Sequence, residues 1–192
     1  MAADLAGMPG FDQLSLRSER LRLRPLRAED ATVLFAIFSD PGVMRYWSTP
    51  PWAALDQARA FVERDRAAMK VGDSLRLGLE RIDGGGLIGQ CTLFSLSAQS
   101  RRAEVGYAMG ADAWGHGYMH EALVALLNHG FTAMNLNRVE ADIDSRNAAS
   151  ARSLERLGFQ REGLLRERWI VAGEVSDTAL YGLLAREWAG RS

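Results

Sequence analysis

Between Arg102 and Asp144 the hydrophobic period of the chain changes twice, and the first change runs across two glycines. The stretch "RRAEVGYAMG" alternates as a strand does. "WGHGYMHEAL" then carries Gly115 and Gly117 into the helical spacing of Leu123, Leu126, Leu127, Phe131 and Met134. "RVEADID" returns to period two, with Val139, Ala141 and Ile143 on one face. A strand, a helix and a strand in that order make a crossover with the helix laid on one face of a sheet. Few folds remain once that unit is fixed.

The flanking segments extend the same logic. "ERLRLR" sets Leu21 and Leu23 against arginines and ends at Pro25. "RAEDATVLFAIFSD" reads as a helix with Val33, Leu34, Ile37 and Phe38 on one stripe and acids in its first turn. Asp40, Pro41 and Gly42 stop it, and "VMRYWSTPPW" follows as an aromatic, proline-bearing loop. A second amphipathic helix runs from about Ala54 to Lys70 with Ala58, Phe61 and Val62 inward. "SLRLGLERIDGGGLIGQCTLFSL" is a hairpin turning at Asp83 and the glycines after it, and the chain closes with a hairpin around Ala172 and Gly173. "NAASARSLERLGF" is a short helix with Asn147 at its N-cap and Gly158 as its stop. The expected architecture is α/β (α+β): a mixed, mostly antiparallel sheet of about seven strands with about four helices. Residues 14–192 are expected to form a single domain behind a flexible tail, residues 1–13.

A chain of 192 residues is long enough to bury a substantial core as one domain. Its formal net charge of -1 gives no basic field for nucleic acid. The lone cysteine, Cys91, cannot form an internal disulfide and reads as a small buried hydrophobe, consistent with a cytoplasmic protein. "MAADLAGMPGF" has no basic stretch or apolar core of a signal peptide, and no apolar run approaches the roughly 20 residues that span a bilayer. The histidines have no metal-ligand spacing, so no metal is expected.

Gly115 and Gly117 are not a dinucleotide fingerprint, because the third glycine would fall on His120, and no Walker lysine follows them. A glycine-flanked helix start still offers unpaired N–H groups and a positive dipole end, the setting for a phosphate.

Taken together, "AEVGYAMGADAWGHGYMHEAL", "LNRVEADIDSRNAASARSLERLGFQREGLLRE" and "DTALYGLL" resemble, in order and spacing, the GNAT family of N-acetyltransferases, and within it the RimJ/RimL-like subgroup of ribosomal-protein N-acetyltransferases. The resemblance covers about Ser18 to Trp188. It implies a sheet splayed in the middle, acetyl-coenzyme A as cosubstrate, and a pyrophosphate loop at Trp114, Gly115, His116, Gly117, Tyr118 and Met119. Trp114 and Met119 depart from the family's usual residues, a change that backbone binding tolerates. The resemblance further implies that pantetheine pairs with backbone near Ala108 and Met109 and bonds to Asn147, whose simpler role is the N-cap.

Acetyl transfer to an amine needs a base. Glu104, on the strand leading to the glycine turn and flanked by apolar Ala103 and Val105, is the first candidate; Asp142 and Asp144 are lesser ones. Ser150 matches the subgroup's serine and is assigned to the leaving sulfur, since the place of the family's tyrosine holds Leu154. Glu121 is explained by the helix dipole or a structural contact, His116 by its backbone, and His120 as a surface residue. Tyr46 and Trp47 form the candidate wall for the acceptor, Trp52 is core, and Glu167, Glu174 or Asp177 would attract a cationic amine. The acceptor is read as the N-terminal α-amine of a protein. A small amine such as a polyamine or aminoglycoside, and a non-catalytic acyl-coenzyme A sensor, remain alternatives. The last hairpin and exposed aromatics leave room for a homodimer.

Overall fold

The computed structural model describes residues 10–189. Eight strands form one sheet: β1 (Leu16–Arg17), β2 (Leu21–Arg24), β3 (Leu75–Arg81), β4 (Gly86–Ser97), β5 (Arg102–Met109), β6 (Arg138–Asp144), β7 (Gln160–Val171) and β8 (Glu174–Leu184). Their order across the sheet is β1-β2-β3-β4-β5-β6-β8-β7. The helices are α1 (Ala31–Ser39), α2 (Pro41–Met44), α3 (Leu55–Val71), α4 (Tyr118–Thr132), α5 (Ala148–Leu157) and α6 (Ala185–Ala189). None of these helices is long and apolar enough to cross a membrane.

The period-two strands divide the core between two faces. Leu77, Cys91, Leu93, Val105 and Val139 meet Leu123, Leu126 and Leu127 of α4 and Leu154 and Leu157 of α5. On the other face Leu26, Leu87 and Ala108 lie under Leu34, Ile37 and Phe38 of α1 and Ala58 and Val62 of α3. Each of the leucine, valine, isoleucine and phenylalanine side chains contributes about 1.5–3 kcal/mol by leaving water, which fixes both helix layers against the sheet.

Every pairing is antiparallel except that of β5 with β6, which is parallel and short. Its rungs are Arg102 with Arg138, Ala103 with Val139, and Glu104 with Glu140. Beyond Glu104 the strands diverge while β6 stays paired with β8 up to Asp144. The splay is the feature that makes room for a site in the middle of a sheet.

The additional short elements have local causes. β1 has two residues, Leu16 and Arg17, too few to show a period. Asp40, expected as a stop, also starts α2: its side chain accepts from the Gly42 N–H at 2.7 Å, and Pro41 occupies the first helical position. Val43 and Met44 therefore belong to a helical turn and not to the aromatic loop. Most of the expected tail, residues 1–9, lies outside the described residues. Phe11 is 5% exposed within the core and its N–H bonds the Met69 carbonyl at 2.7 Å, so the anchored chain starts before residue 14.

Candidate active site

The splay opens into a cavity of about 420 Å³. Its floor is the side-chain row that alternation sends away from α4: Arg76, Gln90, Thr92, Phe94, Glu104 and Asp142. Tyr46 and Trp47 wall one side, and Asn147 and Ser150 at the start of α5 close another. Trp47 meets Phe38 edge-on at 5.2 Å, which holds the wall against α1, whereas Trp52 stacks on Phe38 at 4.6 Å as a core residue.

Glu104 is set apart by what it lacks. Of the three carboxylates lining the cavity, Asp144 is bound by Arg146 at 2.7 Å and Asp142 faces Arg168 at 3.8 Å. The Arg146 hydrogen bond holds the Asp144 carboxyl below its ordinary range. Glu140, across the last parallel rung, is clamped by Arg102 and Arg138. The Glu104 carboxylate has no hydrogen bond or ion pair among the described residues. Its neighbours in sequence, Ala103 and Val105, point into the α4 core instead of surrounding it, because a strand alternates.

Ser150 is the third residue of α5. The Asn147 side chain caps its N–H at 3.0 Å, as the sequence led one to expect, and Tyr107 meets its Oγ at 2.6 Å. Burial pushes the Tyr107 phenol up to about 12, so it stays protonated, and either hydroxyl can donate in this contact. Tyr107 was not singled out from sequence, since its partner lies 43 residues away.

The glycine turn stands at the far end of β5. Gly115 and Gly117 both sit at φ 79°, and a Cβ on Gly115 would meet nothing within 4 Å, so Gly115 is needed for its conformation and not for space. Gly117 is the N-cap of α4. Arg20 braces the turn: it donates to the His116 carbonyl at 3.1 Å, bonds Glu121 at 2.7 Å and lies 4.6 Å over the Tyr118 ring. Burial works to raise the Glu121 carboxyl, but hydrogen bonds from the Arg20 amide, Ser18 and the Arg20 side chain hold it low. Its role here is a structural contact. His120 is half-buried, with no hydrogen-bond partner at Nδ1 among the described residues. His116 and Tyr118 border a second cavity, of about 650 Å³, beside Arg81 and Gly110.

Backbone direction separates Ala108 from Met109. The Gly110 N–H bonds Ile88 of β4 at 3.0 Å, and alternation then turns the Ala108 groups to β4 and the Met109 groups to the open side. The Met109 carbonyl receives the Trp114 indole N–H at 2.8 Å. The cavity thus gathers Glu104, Ser150, Asn147, Tyr46 and Trp47, while the glycine turn, Ala108 and Met109 lie outside its lining. Glu167, Glu174 and Asp177 are not in it either. Asp177 accepts the Glu167 N–H at 2.8 Å across a bulge in β7, and Glu174 is paired with Arg146 at 2.5 Å.

The chain matches the acetyltransferase (GNAT) domain over residues 20–160. It is 37% identical over 176 residues to the uncharacterized N-acetyltransferase p20 of Bacillus licheniformis, covering 92% of this chain and 99% of that one. It is 29% identical to the spermidine N(1)-acetyltransferase of Escherichia coli K12, with 82% of each chain covered. Among solved structures, Mycobacterium smegmatis RimJ in complex with CoA-disulfide aligns with a TM-score of 0.84 at 27% identity, covering 94% of this chain and 91% of that one. A splayed sheet, a glycine turn capping α4 and a family match across most of the sequence lead to one conclusion: the protein belongs to the GNAT family of N-acetyltransferases.

Proposed function

We propose that the protein transfers the acetyl group of acetyl-coenzyme A to the N-terminal α-amine of a protein or peptide. The observation that carries the acceptor class is the charge balance of the cavity: Glu104 is its single carboxylate without a cation, and the aspartates face arginines. Such a cavity suits one ammonium. A polyamine brings several, and would need several unpaired carboxylates to replace its hydration. An α-amine, with a pKa near 7.7–8.0, also releases its proton far more readily than a lysine amine near 10.4.

The residues present fit the coenzyme. The Gly115 and Gly117 conformations open amides at the start of α4 to a pyrophosphate, and Arg20, paired with Glu121, braces the turn that presents them. The coenzyme supplies the acetyl group as a thioester. Met109, by its N–H on the open side of β5, meets charge developing on the carbonyl oxygen. Glu104 takes the proton of the attacking amine, and the Ser150 hydroxyl, in contact with Tyr107, donates a hydrogen bond to the departing thiolate, which takes its proton from solvent.

A substrate panel tests the acceptor class. Thiol release is expected with peptides bearing free N-termini, at a kcat/KM at least about tenfold above that for spermidine; a preference for spermidine overturns the reading. The loop has its own test. Valine at Gly115 would carry about 1–3 kcal/mol of strain at this φ. Relief by moving the turn is expected to weaken coenzyme A about 10- to 100-fold in calorimetry. Unchanged affinity for Gly115→Val takes the loop out of coenzyme binding.

A further inference from the structure

One cation on the cavity floor has no part in the roles above. Arg76 of β3 donates from Nε to Asp65 at 2.7 Å and from Nη1 to Gln90 at 2.7 Å, and its guanidinium lies 4.7 Å over the Phe61 ring. Asp65 and Gln90 are 6% and 1% exposed, so the guanidinium is held in one orientation by buried groups. A guanidinium carries five N–H donors in a planar fork. Two are used by these contacts, no other partner exists among the described residues, and the side chain keeps 18% exposure where it lines the cavity.

A second group nearby wants a partner. Thr92 is 3% exposed, lines the same cavity, and its Oγ1 makes no hydrogen bond among the described residues. Buried hydroxyls are seldom left this way. The register sets Arg76 opposite Thr92 and Thr92 opposite Gly106, with Glu104 two residues along β5. Arg76 thus starts two strand spacings, about 10 Å, from β5. Both side chains line the cavity, and the Phe94 ring and the Thr92 methyl pack over Gly106 on the floor between the two strands, each 3.3 Å from where a Cβ would stand. An unpaired carboxylate at one end and a fixed guanidinium at the other match a molecule with an ammonium beside an oxygen acceptor.

We propose that Arg76, with Thr92 beside it, binds the carbonyl or carboxylate oxygen adjacent to the acceptor amine. The class of acceptor is then an amine flanked by oxygen, as at a peptide N-terminus. Alkyl polyamines are disfavoured because their next ammonium would face the guanidinium. The inference rests on the peptide reading above and adds the residue that enforces it.

The test pairs a short peptide with its isostere in which CH=CH replaces the first amide, rates being compared per neutral amine. The wild-type enzyme is expected to prefer the peptide by about 10- to 100-fold in kcat/KM, the size of a hydrogen bond to a charged group. Arg76→Lys keeps a cation for Asp65 but loses the fork, and is expected to bring that preference within about threefold, mostly through KM. Thr92→Val leaves the Asp65 pair whole and is expected to reduce the preference about two- to tenfold, which keeps the test open should Arg76→Lys fail to fold. Equal wild-type rates on peptide and isostere, or an undiminished preference in a folded Arg76→Lys, overturn the Arg76 site and leave the peptide reading standing. Turnover of spermidine and of no peptide overturns both.

Discussion

Glu104→Gln is expected to lower kcat by about 10²- to 10⁴-fold, the range supplied by a positioned base, with coenzyme A affinity in calorimetry unchanged. The substitution keeps the shape of the side chain and removes its charge and its ability to take a proton. The expectation follows from the charge layout of the sheet. Glu140, its partner across the last parallel rung, is neutralised by Arg102 and Arg138, and the cavity aspartates face Arg146 and Arg168. Of the carboxylates lining the cavity, Glu104 is the one that no arginine among the described residues neutralises, and it stands where β5 and β6 part. A Gln variant retaining more than about a tenth of wild-type kcat would fall below the lower end of general-base effects and remove Glu104 from the chemistry.

The largest stability effect is expected at Asp30. Arg24 and Asp30 are 5% and 4% exposed and form a two-pronged pair at 2.7 and 3.0 Å, and Asp30 also accepts the Arg27 N–H at 2.7 Å. Asp30→Ala leaves a buried guanidinium with Glu80 at 3.2 Å and the Pro25 carbonyl at 3.1 Å. Breaking a buried pair in this way costs about 3–5 kcal/mol, or roughly 6–20 °C in Tm for a chain of this size. Urea melts would read it directly, and a loss under 1 kcal/mol would contradict it. The same pair sets an acid limit. Burial alone would raise the Asp30 carboxyl, but the Arg24 hydrogen bond and the Arg27 amide hold it below its ordinary value of 3.8. A carboxyl held low in the fold contributes stability that is complete above its unfolded value and is lost as pH falls through the folded one. Wild-type stability should therefore drop below about pH 4, and Asp30→Asn should remove that part of the drop.

What the sequence revealed and what it withheld divide along contact range. Periods of two and 3.6 located β2 to β6 and the four longer helices, because burial on one face repeats within a few residues, while the last hairpin was read from its turn at Ala172 and Gly173. The Asn147 cap was legible because it acts within α5, and Glu104 because a family pattern fixes its place relative to the glycine turn. The surroundings of Glu104 were not, since alternation sends Ala103 and Val105 to the opposite face. Arg20, Tyr107 and Arg76 were missed for a common reason: their partners Glu121, Ser150 and Asp65 lie 101, 43 and 11 residues away. The acids of the last hairpin were misjudged for the converse reason. Asp177 and Glu174 look free in sequence, yet one secures a bulge and the other an arginine.

The three rungs joining β5 to β6 are the seam between two blocks, β1 to β5 on one side and β6, β8 and β7 on the other. Past Glu104 that seam is left for something other than the chain to stitch. A molecule lying along it and bonding to both edges adds to the cohesion of the fold, so its binding energy and the stability of the protein are linked. A ligand bound along that seam is expected to leave the fold firmest when the enzyme is loaded.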